Sequence, residues 1–423
     1  MNILIHTWQL SKYKGSEFSV SYNYIKSMMN YHKLYVIFAS NSHQREDYSE
    51  LDELKSDFPN CTFITVKSNL YMNIWKKIEK KVPSYILNII KYAYYKEWEK
   101  LLYKSVKNSD FLKKIDLIHY VGPAGYHEPG YLWKLGKPYI WGPVSGFENI
   151  NKILAKKLFV GGKKSIILRL KSVMNNFTIK YNKRIKDAIE RSDVIIAATN
   201  SNKNIILKNF KCKKLVYFPE NLMRITSKNI LSEEQIKKKY LNVSKLNIIW
   251  VGNIEDRKMP NLLIDSLRRI KHDNVLVTCI GGGRTKYFES CGLEFVKSVG
   301  QISRSEVEKY WENAHLHIIT SALEANTTVL FEAMEHCIPT LTTDICGMAD
   351  IVKNNTGIKI AVDSYDKICI KIAETIDKFA ENPNELMNLA LNLREDSFNY
   401  TCTEREKFYN NLYEELVNYR NIK

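Results

Sequence analysis

The 423-residue chain has eight cysteines, at 61, 212, 279, 291, 337, 346, 369 and 402, but no C-x-x-C pair. That absence argues against a structural zinc site. Several of these cysteines sit in strand-like apolar runs, where a buried free thiol is usual. A reducing, cytoplasmic setting is therefore expected. No stretch reaches the roughly eighteen uninterrupted apolar residues of a spanning helix. The opening MNILIHTW lacks the charged-then-apolar layout of a secretory signal. No D-x-D pair is present to hold a divalent ion against a diphosphate. RNP-type aromatic motifs, zinc spacings, low-complexity tracts and sequence-level repeats are missing too.

Acidic residues are scarce in the first half. Residues 1–222 carry 37 Lys and Arg against 18 Asp and Glu, whereas 223–423 carry 26 against 28, so the net charge of +17 resides in the first half. The surplus is densest over 151–200, with 12 basic and 3 acidic residues. Such asymmetry points to an anionic partner: nucleic acid, an acidic substrate or an anionic membrane face. Otherwise the composition, 45% hydrophobic and 26% charged, is that of a globular protein long enough for two or three domains.

MNILIHTW, KLYVIFAS, CTFITV, IDLIHYVG, PYIWGPVSG and SDVIIAAT read as strands, the last closing the first half. Continuous apolar runs of this kind suit parallel strands buried on both faces. Gly15 stands just before a helix start, either as a loop glycine near a ligand or as a plain turn. Residues 70–115 interleave Lys with Ile, Leu, Tyr and Trp, and Pro83 splits them into two helices. Ile86, Ile89, Ile90, Ala93 and Tyr94 recur at helical spacing. This stretch either lies on an anionic bilayer or faces a core with snorkelling lysines. His127, in a loop, and His119, in a strand, are candidate liners of a site, as are Gly142, Gly146 and Glu148.

FPENLMRITSKN, with Pro219 and Asn221, reads as the crossing between domains 1–218 and 219–401. Ser232 opens a capping box. LNIIWVGNIEDRKMPNLLIDSLRRI is strand, loop, helix, with Gly252 at the strand end and Arg257 and Lys258 before the helix. Cations there oppose the helix dipole unless an anion sits between, so the pair is a candidate diphosphate clamp. Gly281, Gly282 and Gly283 form a loop whose backbone can approach a ligand closely. The regular strand–helix alternation predicts a doubly wound parallel sheet with ligand loops at the strand carboxyl ends. Gly252, Gly281, Gly300 and Glu324 fall at those ends. The tail is helical, and Phe408, Leu412 and Leu416 make the apolar stripe of its last helix, 402–423.

Ser321–Pro339, SALEANTTVLFEAMEHCIP, turns from loop into helix, with Thr327 or Thr328 as a hydroxyl N-cap. Val329, Leu330, Ala333 and Met334 give its apolar face. Glu324 lies in the loop and Glu332 follows on the helix after seven residues. A helix start suits a phosphate. A carboxylate one turn further in accepts but cannot donate, which suits vicinal ribose hydroxyls.

This spacing, with Glu332-Ala-Met, Pro339 at the next strand and Gly347 in the following loop, resembles the donor site of retaining GT-B glycosyltransferases, family 4 type. The resemblance implies an α/β fold of two Rossmann-like domains facing across a cleft, the last helix crossing back to the first. It implies sugar transfer from a nucleotide-sugar, UDP- or GDP-linked, to a saccharide, with retention of configuration and no metal or cofactor. In that scheme Glu332 holds the ribose, Lys258 and Arg257 neutralise the diphosphate, and Asn326, Thr327 and Thr328 offer amides. Glu324 faces the donor sugar, and Gly15, Gly252 and Gly281–Gly283 approach the donor. Asn253 stands where a second phosphate-binding Arg is common, and WGPVSG occupies the place of the family's usual histidine, for which His127 or His119 could substitute.

With the basic first half, these features predict a lipid-linked acceptor and an anionic membrane surface rather than nucleic acid. The expected place is the inner face of the plasma membrane, in bacterial capsule or lipopolysaccharide assembly. Two rivals stand beside this reading. One is a nucleotide-sugar epimerase or hydrolase of the same fold. The other is a non-enzymatic basic protein that binds membranes or nucleic acid.

Overall fold

A computed structural model describes the chain except residues 43–45, 80, 81, 83, 159–162, 242, 422 and 423, with backbone alone at 16, 79, 84–89, 163–169 and 419–421. Contacts divide it into two compact units. Unit 1 comprises Met1–Phe147, Phe177–Glu220 and Arg405–Lys423; unit 2 comprises Glu148–Asn176 and Asn221–Glu404. The sequence runs the first domain unbroken over 1–218, whereas by contact 148–176 packs with unit 2. Leu154, for example, lies in the unit 2 core beside Trp250 and Leu262.

Unit 1 is built on a parallel sheet of seven strands, β1 (Asn2–Thr7), β2 (Lys33–Ile37), β3 (Thr62–Ile64), β4 (Leu117–Gly122), β5 (Tyr139–Val144), β6 (Val194–Ala197) and β7 (Leu215–Tyr217). Their spatial order is β3-β2-β1-β4-β5-β6-β7. All residues of β4, β5 and β6 are buried, as continuous apolar runs between two helical layers require. β7 lies beyond SDVIIAAT, where the sequence closes the half. Its three residues, cut off by Lys214 before them and Pro219 soon after, give too short a run to stand out.

The basic stretch 70–115 resolves into two unlike helices. Ser84–Lys107 buries Ile90, Tyr94, Trp98, Leu102 and Val106, one face repeating every four residues, so it faces the core. Leu70–Glu79 instead exposes Leu70, Tyr71, Ile74 and Ile78. Pro83 itself, with the side chains of Ile86 and Ile89, lies outside the described residues. The last helix, Cys402–Asn421, gives Tyr409, Leu412, Tyr413 and Leu416 to the same core as Ile5, Leu34 and Leu117, so it does return to unit 1. His119 anchors it from within β4: Nδ1 meets Tyr413 Oη at 2.6 Å and Tyr24 Oη at 3.0 Å, and Nε2 meets the Gly142 carbonyl at 2.7 Å. Fully buried, with its pKa pushed down to about 3 by that burial, His119 is a structural histidine and lines no site.

Unit 2 has six parallel strands, β8 (Leu246–Val251), β9 (Val275–Ile280), β10 (Val296–Gly300), β11 (Leu316–Ile319), β12 (Thr340–Thr343) and β13 (Ile358–Ile360), in the order β10-β9-β8-β11-β12-β13. The two sheets bear out the doubly wound α/β class. The Ser232 capping box forms, with Ser232 Oγ accepting from Gln235 N at 3.2 Å and Gln235 Oε1 from Ser232 N at 2.8 Å.

Because the last helix completes unit 1, Tyr413→Ala is expected to lower unfolding stability by about 3–5 kcal/mol, the cost of emptying an aromatic core position. Denaturant titration checks this; an unchanged midpoint contradicts the packing described.

Candidate functional site

In unit 2 the chain leaves β8 for β9 on one side, while β11 lies against the other side of β8. The loops after β8 and β11 therefore diverge at the carboxyl edge, the place where open α/β sheets take ligands. Gly252–Met259 follows β8 and Thr320–Thr327 follows β11. Trp250 Nε1 donates to Thr320 Oγ1 at 3.2 Å, and Thr320 Oγ1 donates to the Lys258 carbonyl at 2.8 Å. Ala322 N donates to the Arg257 carbonyl at 2.9 Å, and Arg257 Nη1 to the Leu323 carbonyl at 3.2 Å. These bonds fix both loops before any ligand arrives.

The charged groups then meet on one atom. Arg257 Nη1 and Lys258 Nζ each lie 2.5 Å from Glu324 Oε1. Lys258 and Glu324 are nearly buried, at 12% and 10% side-chain exposure, so solvent screens their attraction little. Arg257 also pairs with Glu255 at 2.7 Å, but both are half exposed and that pair counts for about 0–1 kcal/mol. Lys258 reaches Glu324 across Gly252, where a Cβ would sit 3.4 Å from Lys258 Cε.

Gly347, near the start of the helix Cys346–Ile351 after β12, braces the Glu324 loop from the other side. Its amide donates to the Glu324 carbonyl at 3.2 Å. A Cβ there would fall 1.5 Å from the Ala325 carbonyl oxygen, so only glycine fits. Asn221 Nδ2 donates to the Asn326 carbonyl at 2.7 Å.

Helix Thr328–Glu335 has Thr327 at its N-cap, but no side-chain cap forms, contrary to the hydroxyl cap read from the sequence. The amides at this helix start thus lack the satisfaction a capping hydroxyl gives. Glu332 lies on the helix's second turn and is gripped by Arg224, Nη2 to Oε1 at 2.6 Å. Burial raises the Glu332 pKa, and Arg224 opposes that rise.

Gly281, Gly282 and Gly283 also reach the β8 loop. A Cβ on Gly281, at φ +148°, would lie 1.9 Å from the Gly252 carbonyl oxygen. Ile254 N donates to the Gly282 carbonyl at 2.8 Å. The Gly252 carbonyl by itself accounts for the glycine at 281.

The structure thus gathers Gly252, Arg257, Lys258, Glu324, Asn326, Thr327, Thr328 and Glu332 around one sheet edge. Gly15 and His127 belong to unit 1, in loops after β1 and β4, the strands that flank the switch point of that sheet. Gly15 precedes helix Ser16–Met28 with open space around a would-be Cβ, so sterics do not demand glycine. His127 is half-buried against the Tyr126 ring, centroids 4.1 Å apart, and burial lowers its pKa.

Sequence reasoning missed Arg224, whose partners lie 108 and 111 residues away. It also missed a fully buried pair in unit 1, His6 Nε2 and Glu99 Oε1 at 2.9 Å, under the stacked ring of Tyr120. On a lysine-rich helix Glu99 reads as one more surface carboxylate, and no short-range pattern marks it.

Residues 232–396 match the family model described as Glycosyl transferases group 1. The chain is 25% identical over 265 residues to a putative glycosyltransferase, YtcC, of Bacillus subtilis strain 168, a match covering 56% of this chain and 63% of that protein. The chain thus spans less than two thirds of that relative's length. Among solved structures it resembles Anabaena Alr3699/HepE in complex with UDP and glucose, with TM-score 0.59, 14% identity, and 98% and 100% of the two chains covered. It also resembles WaaG, a glycosyltransferase involved in lipopolysaccharide biosynthesis, with TM-score 0.55, 15% identity, and 96% and 99% covered. At such identities the likeness is one of fold, the GT-B fold.

Gly347→Ala is expected to displace the 324–326 loop and cost about 1–3 kcal/mol, as overpacking does. Faster amide exchange confined to that loop, together with a lower denaturation midpoint, would show it; wild-type exchange there would refute the tight fit.

Proposed function

We propose, from the match of residues 232–396 to the group 1 glycosyl transferase model, that the protein moves a sugar from a UDP- or GDP-linked donor to a saccharide. The observation that carries this reading is the meeting of Lys258, Arg257 and Glu324 where the β8 and β11 loops diverge. Two cations at a sheet's carboxyl edge, beside an uncapped helix start, form a ready site for a diphosphate. Glu324 stands in for that anion until the donor arrives. As the donor's bond to its sugar breaks, Lys258 and Arg257 stabilise the charge growing on the departing diphosphate. Glu324, freed from one of its cations, faces the positive charge developing on the sugar. Glu332 accepts from the ribose hydroxyls, and the amides of Asn326, Thr327 and Thr328 complete the anion site. Retention of configuration, as in the family 4 type, belongs to the same proposal. So does metal independence, since the two cations take the place of a metal ion on the diphosphate.

We further propose that the acceptor is lipid-linked and met at an anionic membrane surface, in assembly of a bacterial surface polysaccharide. No described helix is long and apolar enough to cross a membrane. Helix Lys163–Tyr181, from the most basic part of the chain, supports docking on the surface instead. Leu170, Val173, Met174, Phe177 and Tyr181 fall on one face and are 55–67% exposed, beside exposed Lys171 and Lys180. An apolar stripe edged by lysines suits the headgroup region of anionic lipid.

Lys258→Ala is expected to weaken UDP or GDP binding about 10–100-fold, the worth of one charge-assisted contact. Glu324→Ala should abolish transfer while calorimetry still detects the nucleotide. Full turnover by the Glu324 variant contradicts its role, and donor consumption without acceptor favours the epimerase or hydrolase. Addition of a chelator should leave turnover intact; loss of activity restored by a divalent ion contradicts metal independence.

Sedimentation with vesicles provides the membrane test. The protein should pellet with phosphatidylglycerol-containing vesicles, less so in high salt, and Met174→Ser with Phe177→Ser should reduce it. Equal pelleting with purely zwitterionic vesicles contradicts an anionic surface.

A further inference from the structure

Arg224 stands near the start of the longer stretch of unit 2, before any strand of that unit. It is far in sequence from both carboxylates it touches. Its guanidinium takes Glu332 Oε1 through Nη2 at 2.6 Å, and its Nε lies 3.7 Å from Glu335 Oε1. Its own backbone amide donates to Glu335 Oε1 as well. Glu335 thus anchors the arginine at main chain and side chain, and Arg224 in turn holds Glu332. Spaced three residues apart on helix Thr328–Glu335, the two carboxylates share a face and can be spanned by one guanidinium.

The three side chains are little exposed, at 17% for Arg224, 15% for Glu332 and 9% for Glu335. Glu332 Oε2 takes no hydrogen bond from the described residues and stays accessible. The grip therefore occupies one oxygen and leaves the other to a ligand. We infer that Arg224 is a positioning residue for donor binding, fixing the Glu332 carboxylate as the acceptor-only partner of a ribose diol. This rests on the nucleotide reading of the site given above.

The groups that face Glu332 are few. Arg224 comes from the stretch before β8 and Glu335 from the same helix. Glu308, from helix Arg304–Asn313, and His336, just past the helix end, face it too, and these two pair with each other at 2.8 Å. Burial, Glu308 and Glu335 favour a protonated, neutral Glu332; Arg224 favours the ionised form, with a smaller contribution from His336. A protonated carboxyl donates through one oxygen and loses acceptor capacity for the diol. Without Arg224 the Glu332 pKa rises further, so the acceptor is lost at low pH and regained as pH increases.

The test compares Arg224→Gln, Arg224→Lys, Glu332→Gln and wild type. UDP and GDP binding is measured calorimetrically from pH 5.5 to 8.5, and the Glu332 carboxyl is titrated by carbon NMR without nucleotide. In Arg224→Gln, binding should fall about tenfold or more near pH 6 and recover as pH rises, with Glu332 titrating higher. Arg224→Lys should restore much of the affinity, and Glu332→Gln should bind weakly at every pH. Binding unchanged in Arg224→Gln, or weakened equally at all pH with the Glu332 titration unmoved, overturns the proposal. Failure of wild type to bind either nucleotide overturns the reading of the site itself. The NMR titration still decides in that case whether Arg224 governs Glu332, and an unmoved titration overturns that part too.

Discussion

The site depends on a single carboxylate oxygen, Oε1 of Glu324, shared by Lys258 and Arg257 at 2.5 Å each. Its existence is a consequence of topology. β8 and β11 are neighbours in space although β9 and β10 intervene in the chain, so their following loops end side by side. Side-chain and backbone hydrogen bonds through Thr320, Ala322 and Leu323 then set the loops at one spacing. Gly347 closes the far side by admitting the Ala325 carbonyl where no Cβ could stand. Charge-assisted contacts of this kind are strong only when their partners are held ready, and here the backbone does the holding.

A second carboxylate is treated in the same way. Glu332, like Glu324, is largely buried and held by a cation from a distant loop, Arg224. A buried carboxylate without such a partner would be driven to its neutral form. Arg224 thus opposes the effect of burial on Glu332 and favours its ionised, acceptor-only form.

Much of this could be read from residue order alone, for reasons that differ by element. Apolar runs such as LIHYVG and YIWGPV are buried end to end, so hydropathy marks them directly. Glu324, Arg257 and Lys258 stand in loops that follow strands and Glu332 on the helix after one of them, positions that follow from those runs. Arg224 and Glu99 could not be found that way, since each acquires meaning from a partner no local pattern brings near. The helices at 84–107 and 163–181 show the same limit. Both interleave lysine with apolar residues, yet the first buries Trp98 and Leu102 while the second exposes Met174 and Phe177. Which face is covered is decided by neighbours in the fold, not by periodicity. The missing hydroxyl cap at Thr327 is a local failure of another kind: a good capping residue took the N-cap position without making the bond.

The most direct measurement is a crystal structure of the protein with UDP or GDP bound. The account predicts the diphosphate against Lys258 Nζ and the start of helix Thr328–Glu335, and the ribose hydroxyls on Glu332. It also predicts that Glu324 gives up at least one of its two cations. A nucleotide seated elsewhere, with both cations still on Glu324 Oε1, would contradict it.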